Sequence, residues 1–298
     1  MKQQLKGSLY LLLATMIWGS TFIAQSVGMD HIGPFTFQAV RCFMGVLAML
    51  PMILISDKFK KDGKTFFSRW ADPKLWKAGL LCGIPLFLAC NLQQVGLVNT
   101  DAGKSAFLTA MYILFVPIIG IFRKEKPSRL MPVSIFLAIV GLYFLSCVGV
   151  TSILLDDILL LGCALMFAVQ ITCVDIFAQD LDPLRLNLLQ ALVCTVLSAA
   201  IMFIREEPTW VSIGNCWFPL AYAGVLSMGV AYSLQIIGQK GLKPSLASLI
   251  MSLESVFAVL FGFILLREQL TVWEAIGSVF VFAGVILSQI PTQKKQEV

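Results

Sequence analysis

"LQQVGL" at residues 92–97 returns as "LQIIGQ" at 234–239, and the reading of the whole chain turns on that echo. Gln93 aligns with Gln235 and Gly96 with Gly238, each pair 142 positions apart, and Gly120 and Gly262 keep the same offset. Further out, Glu125 matches Glu268 and Gly141 matches Gly284 after a one-residue slip. Nearer the start of each half, "GPFTFQAVR" at 33–41 aligns with "DPLRLNLLQ" at 182–190, which sets Arg41 opposite Gln190. Matches that keep their order over so long a stretch mark an internal duplication. The copies are residues 1–148 and 149–298, together forming one membrane domain.

Composition places those copies in a bilayer. Apolar residues make up 58% of the 298 positions and charged residues only 13%, with a mean hydropathy of +0.86. A soluble domain is about a quarter charged. Apolar runs of roughly 20 residues, enough to cross about 30 Å of hydrocarbon, recur along the chain. They predict helices at 7–26, 34–56, 75–98, 103–122, 130–148, 155–178, 185–204, 213–237, 246–266 and 271–290. Gly33-Pro34, Asp72-Pro73, Asp182-Pro183 and Lys243-Pro244 each put proline where a helix begins, a position that needs no backbone donor. The first run follows two lysines, but it lacks a small-residue cleavage site and matches the sixth, so it is read as a span. The expected fold class is an all-α membrane protein, ten transmembrane helices in two inverted five-helix repeats. Five crossings are odd, so the second copy starts on the side opposite to the first, as in many alternating-access transporters.

Basic residues orient the bundle. With the N-terminus inside, 18 of the 22 Lys and Arg fall on inside segments. Among them are Lys58 to Lys77, Arg123 to Arg129, Arg185, Lys240, Lys243, Lys294 and Lys295. Inside loops favour Lys and Arg, so both termini are expected to be cytoplasmic, in an inner membrane. The net charge of +5 follows from this topology and is no argument for nucleic acid, because it is spread over separate loops. The 57–75 loop, with Phe66, Phe67, Trp70 and nearby Trp76, reads as an interfacial segment on anionic headgroups.

Enzyme chemistry finds little support. The eight cysteines, Cys147 among them, lie in or at the ends of apolar helices and form no CxxC pair, which suits small filler between helices. His31 is the only histidine. His-based metal sites and Ser-His-Asp catalysis therefore have no basis, and no phosphate-binding loop motif occurs. No catalytic residue, metal or cofactor is assigned.

Polar groups inside the spans are costly and default to functional candidates. Glu254 lies about 12 Å into the ninth helix, with Tyr112 as its repeat partner in the fourth. It either lines a central site or bonds a neighbouring helix. Arg41 lies about 10 Å into the second helix. It could hold a carboxylate or phosphate, snorkel to headgroups, or pair with an acid between helices. Gln38, a turn before it, tips the reading toward a cavity. Trp18 and Gln170 are candidate walls. Gln93 and Gln235 count toward opposite surfaces and read as structural. Ser248, Ser252 and Ser255 suit helix packing, Lys104 an interfacial anchor, and Asp175 a group that reaches water.

"WGSTF" at 18–22, "TDAGKSAFLTAMYILFVPIIG" at 100–120 and "LASLIMSLESVFAVLFGFILLREQL" at 246–270 resemble the EamA-type branch of the drug/metabolite transporter superfamily across essentially the whole chain. The family usually has proline after the glutamate of the ninth helix, where this chain has Ser255. The sixth helix has Phe167 where the first has Trp18. The resemblance implies transport of a small metabolite. The substrate-binding candidates are Trp18, Gln38, Arg41, Tyr112, Gln170 and Glu254, and a solute bearing both charges, such as an amino acid, would suit Arg41 with Glu254. Export by alternating access is the expected action. Partners are the solute, the lipid bilayer and, as a candidate co-substrate, protons. A membrane-embedded enzyme and a non-transporting sensor or assembly factor are the alternatives.

Overall fold

The computed structural model describes residues 2–60, 63, 65–125, 128–146, 155–267, 269 and 271–290; Lys61, Lys64, Lys126, Cys147, Glu268, Lys294 and Lys295, used above, lie outside them. The described residues form helices α1 (Lys2–Met29), α2 (Pro34–Phe59), α3 (Pro73–Gly96), α4 (Ala102–Phe122), α5 (Met131–Ser146), α6 (Leu155–Ala178), α7 (Pro183–Arg205), α8 (Trp217–Gln239), α9 (Pro244–Leu265) and α10 (Val272–Gln289). Nine are long and apolar enough to span a membrane, and α5 is a shorter apolar helix. All four proline starts are as read from the sequence, and Asp72 and Asp182 also cap their helices by accepting from the Lys74 and Arg185 backbone N–H. Thr271 and Glu274 cap α10 reciprocally.

The packing obeys the duplication. Gln4 Nε2 donates to Gln289 Oε1 at 3.2 Å, so the start of α1 and the end of α10 share one face of the bundle, called the terminal face below. The start of α6 lies at the other face, where Lys104 at the head of α4 pairs with Asp157. The second copy therefore begins inverted. Gly96 of α3 abuts Leu160 of α6, while Gly238 of α8 abuts Leu11 of α1, and Leu11 is the repeat mate of Leu160. At Gly141 an added Cβ would stand 2.6 Å from the Gly277 carbonyl oxygen, and at Gly284 2.6 Å from that of Ser134, so α5 and α10 cross with backbones nearly touching. Exchanging the two copies leaves these contacts in place, as a pseudo-twofold axis requires. Close approach of small residues is how helices associate where lipid offers no hydrophobic drive.

Three helices depart from a plain α-helix. Residues Tyr222–Ala231 of α8 form a π-helix. Asn187 of α7 donates to the carbonyls of Met228 and Gly229 there, satisfying backbone acceptors that the widened turns leave exposed. Helices α4 and α9 each break once, at Met111 and at Ser252.

Candidate functional site

The breaks in α4 and α9 sit one and two residues before Tyr112 and Glu254. At each, a tight bond three residues back replaces the ordinary helical one, Leu114 N–H to Met111 O and Ser255 N–H to Ser252 O. The broken helices meet, and Tyr112 Oη donates to Glu254 Oε1 at 3.0 Å. These repeat mates therefore touch at the seam of the two copies. Both are buried, at 3% and 5% exposure.

Beside them lies a small cavity of about 40 Å³. Its polar lining is Thr21, Gln25, Arg41, Gln93, Tyr112, Ser227, Gln235 and Glu254, and Trp18, Phe22, Phe167 and Tyr232 supply aromatic walls. Trp18 stands edge-on to Tyr232 at 5.0 Å between ring centroids, and Phe167 edge-on to Tyr112 at 6.5 Å. A volume of 40 Å³ has room for a few waters. Ligand sites are nearer 300–1,000 Å³, so the bundle must part to admit a solute.

Arg41 neither snorkels nor pairs with an acid among the described residues. Its side chain is buried, its Nη1 donates to Gln25 Oε1, and its Nε has no hydrogen-bond partner. A fixed cation held by a neutral amide in a water-poor site is ready to exchange that amide for an anion.

Two of the six sequence candidates lie outside the wall. Gln38 donates to Cys42 Sγ at 3.0 Å and to Cys194 Sγ at 3.4 Å, within the α2–α7 packing. Three residues at 100° each leave it about 60° around the helix from Arg41, enough to turn it from cavity to seam. Gln170 stands behind the wall: it accepts from Gln235 Nε2 at 3.1 Å and donates to Gln190 Oε1 at 3.1 Å. Gln190 donates onward to Asn187 Oδ1 at 2.9 Å. A chain of amides thus links the cavity to the π-helix of α8.

The structure also corrects readings of single residues. Gln93 and Gln235 face the cavity rather than serving only as helix glue, although each lies about one turn from the end of its helix, at opposite faces. Their exact repeat match was the available signal, and depth counted along a helix misjudged it. Gln25 carried no such signal, since its repeat position is Val174. Lys104 is no interfacial anchor: it pairs with Asp157 at 2.7 Å, both largely buried. Asp175, read as a group that reaches water, is partly exposed and pairs with Arg123 at 3.2 Å. In the 57–75 segment, Phe67 is exposed, but Phe66 and Trp70 turn inward onto Arg185. Cys42, Cys82, Cys90, Cys163, Cys194 and Cys216 are buried free thiols, and Cys173 is half-buried.

Comparison with known proteins agrees with this architecture. An uncharacterized transporter of Archaeoglobus fulgidus (strain ATCC 49558 / DSM 4304 / JCM 9628 / NBRC 100126 / VC-16) is 32% identical over 293 residues, covering 96% of this chain and 86% of its own. The uncharacterized transporter YoaV of Bacillus subtilis (strain 168) is 23% identical over 299 residues, covering 98% of this chain and 99% of its own. One solved crystal structure superposes with a TM-score of 0.78 at 16% identity, covering 95% of this chain and 96% of that one, a likeness of fold alone. The model of the EamA-like transporter family matches twice, at residues 5–147 and 154–289, once per copy. With both copies matched, the chain is a multi-pass membrane protein that belongs to the EamA-like transporter family.

Proposed function

We propose that this transporter carries a small polar organic solute bearing both charges, an amino acid or similar zwitterion, out of the cell by alternating access. The observation that carries this reading is that Arg41 and Glu254 face one small cavity at the junction of the two copies, each held by an uncharged partner. A carboxylate on the solute replaces Gln25 at Arg41, and an ammonium replaces Tyr112 at Glu254. Gln93 and Gln235 extend the polar lining toward either face. Glu254 is the candidate proton carrier. Basic residues cluster at the terminal face, as expected if both termini are cytoplasmic in an inner membrane.

The test is reconstitution into proteoliposomes and a screen of radiolabelled metabolites for uptake and for efflux from preloaded vesicles. The reading expects amino acids or similar zwitterions to move faster than in empty liposomes. It fails if only singly charged or neutral solutes move.

A further inference from the structure

Helices α2 and α7 pack along their length, and their seam is closed at both ends by residues that the duplication makes equivalent. At the terminal face Arg185, 1% exposed, donates through Nη1 to Asp57 Oδ1 at 3.1 Å and through Nη2 to Asp57 Oδ2. It also reaches Asp182 Oδ2 at 3.4 Å, and Lys60 pairs with that same carboxylate. Trp70 and Phe66 cover the guanidinium, with ring centroids at 5.2 and 5.8 Å. At the other face Glu206, just past α7, accepts from the Phe35 N–H at 2.9 Å, the Thr36 N–H at 2.7 Å and the Thr36 hydroxyl at 2.6 Å.

The alignment of "GPFTFQAVR" with "DPLRLNLLQ" sets Thr36 opposite Arg185, and the same offset of 149 sets Asp57 opposite Glu206. At each face, then, an acid at the far end of one helix grips the third residue of its partner. The chemistry differs between the two. Charge meets charge under aromatic cover at the terminal face, whereas at the other a carboxylate meets the N-terminal donors of α2. Arg41, in the cavity wall, lies on α2 between Thr36 and Asp57, so both closures hold a helix that borders the cavity.

We infer that these are the two closures of the transport path. Parting Asp57 from Arg185 opens the cavity to the terminal face, and parting Glu206 from Thr36 opens it to the other. In this structure both are made, and the cavity is too small for a solute. Each closure stabilises only states shut on its own side, so weakening one shifts the population toward states open on that side. Arg185 and Glu206 are positioning residues, acting through the helices rather than on the solute. This rests on the alternating-access reading above.

The experiment places a reporter cysteine in the cavity by Ser227→Cys, in proteoliposomes of known orientation. A membrane-impermeant sulfonate thiol reagent is applied from one side or the other, with the parent chain as blank for its native thiols. Glu206→Gln should raise labelling from the Glu206 side about tenfold and leave the terminal side unchanged; Asp57→Asn should do the reverse. If Asp57→Asn does not fold, Asp182→Asn weakens the same closure, and Thr36→Val serves for the other. Equal labelling from both sides in either variant, or rates equal to the parent, would overturn the assignment. Labelling needs no substrate, so it stands or falls separately from the solute reading.

Discussion

At the residue scale the two charged groups of the cavity have separable duties. Glu254→Gln keeps shape and hydrogen bonding with Tyr112 but removes titration. Where Glu254 holds the ammonium, the variant loses amine-bearing solutes at every pH. Where it carries protons, pH-driven accumulation disappears while exchange of bound solute persists. Flux and counterflow measured across pH 5–8 tell the two apart, and retention of both activities would leave Glu254 a structural hydrogen-bonder. Arg41→Lys keeps the charge but loses the forked donor pair, so affinity for the carboxylate should fall about tenfold. Outside the spans, Asp182 makes a pH prediction. Burial alone raises its carboxyl, but the Lys60 hydrogen bond, the Arg185 backbone N–H and both cations outweigh it, and the net direction is down. A lowered carboxyl contributes stability above the unfolded value of about 3.9, and that stability is lost as the pH falls through the folded value. Thermal melts of the purified protein below about pH 4 should therefore show a smaller acid-induced loss for Asp182→Asn than for the parent.

At the scale of elements, the α5–α10 crossing is the tightest to test. A methyl at Gly141 meets backbone at 2.6 Å from Gly277 O and 2.7 Å from Val281 N, and neither can swing aside as a side chain would. Gly141→Ala should destabilise by about 1–3 kcal/mol and lower the melting temperature by several degrees. Gly162→Ala is the control, since its new methyl meets only Leu92 Cδ1 at 3.5 Å. Equal melting of the two variants would mean that the helices do not cross as closely as described. The breaks in α4 and α9 belong to the same scale. Both fall beside Tyr112 and Glu254, repeat mates that join the copies at the cavity, and discontinuous helices at such a point are a common way to build a transport site.

For the whole molecule, sidedness is the decisive quantity. The structure puts Lys60 and Lys240 at the face of the termini, and Asp30 and Glu207 at the other. Single cysteines introduced at these four positions should label from one side for the first pair and from the opposite side for the second. The positive-charge bias expects the first pair to be cytoplasmic. Labelling of Asp30→Cys and Lys60→Cys from the same side would remove the odd crossing count, and with it the inversion on which alternating access depends.

Apolar run length, four proline starts and the echo between "LQQVGL" and "LQIIGQ" determined the ten helices, their duplication and the pairing of Tyr112 with Glu254. These are local or order-based properties, and a membrane leaves the chain few other ways to satisfy its backbone. The tertiary structure alone decided which polar side chains share the cavity. A rotation of about 60° separates Arg41 in the wall from Gln38 in the α2–α7 seam. Helix breaks and packing angles bring Gln93 and Gln235 to one cavity from opposite ends of the bundle. Arg185 counts in the sequence as one more basic loop residue, and only its packing against Asp57 and Trp70 shows it buried. A period of 3.6 residues tells which residues share a face, but it does not tell which neighbour that face meets.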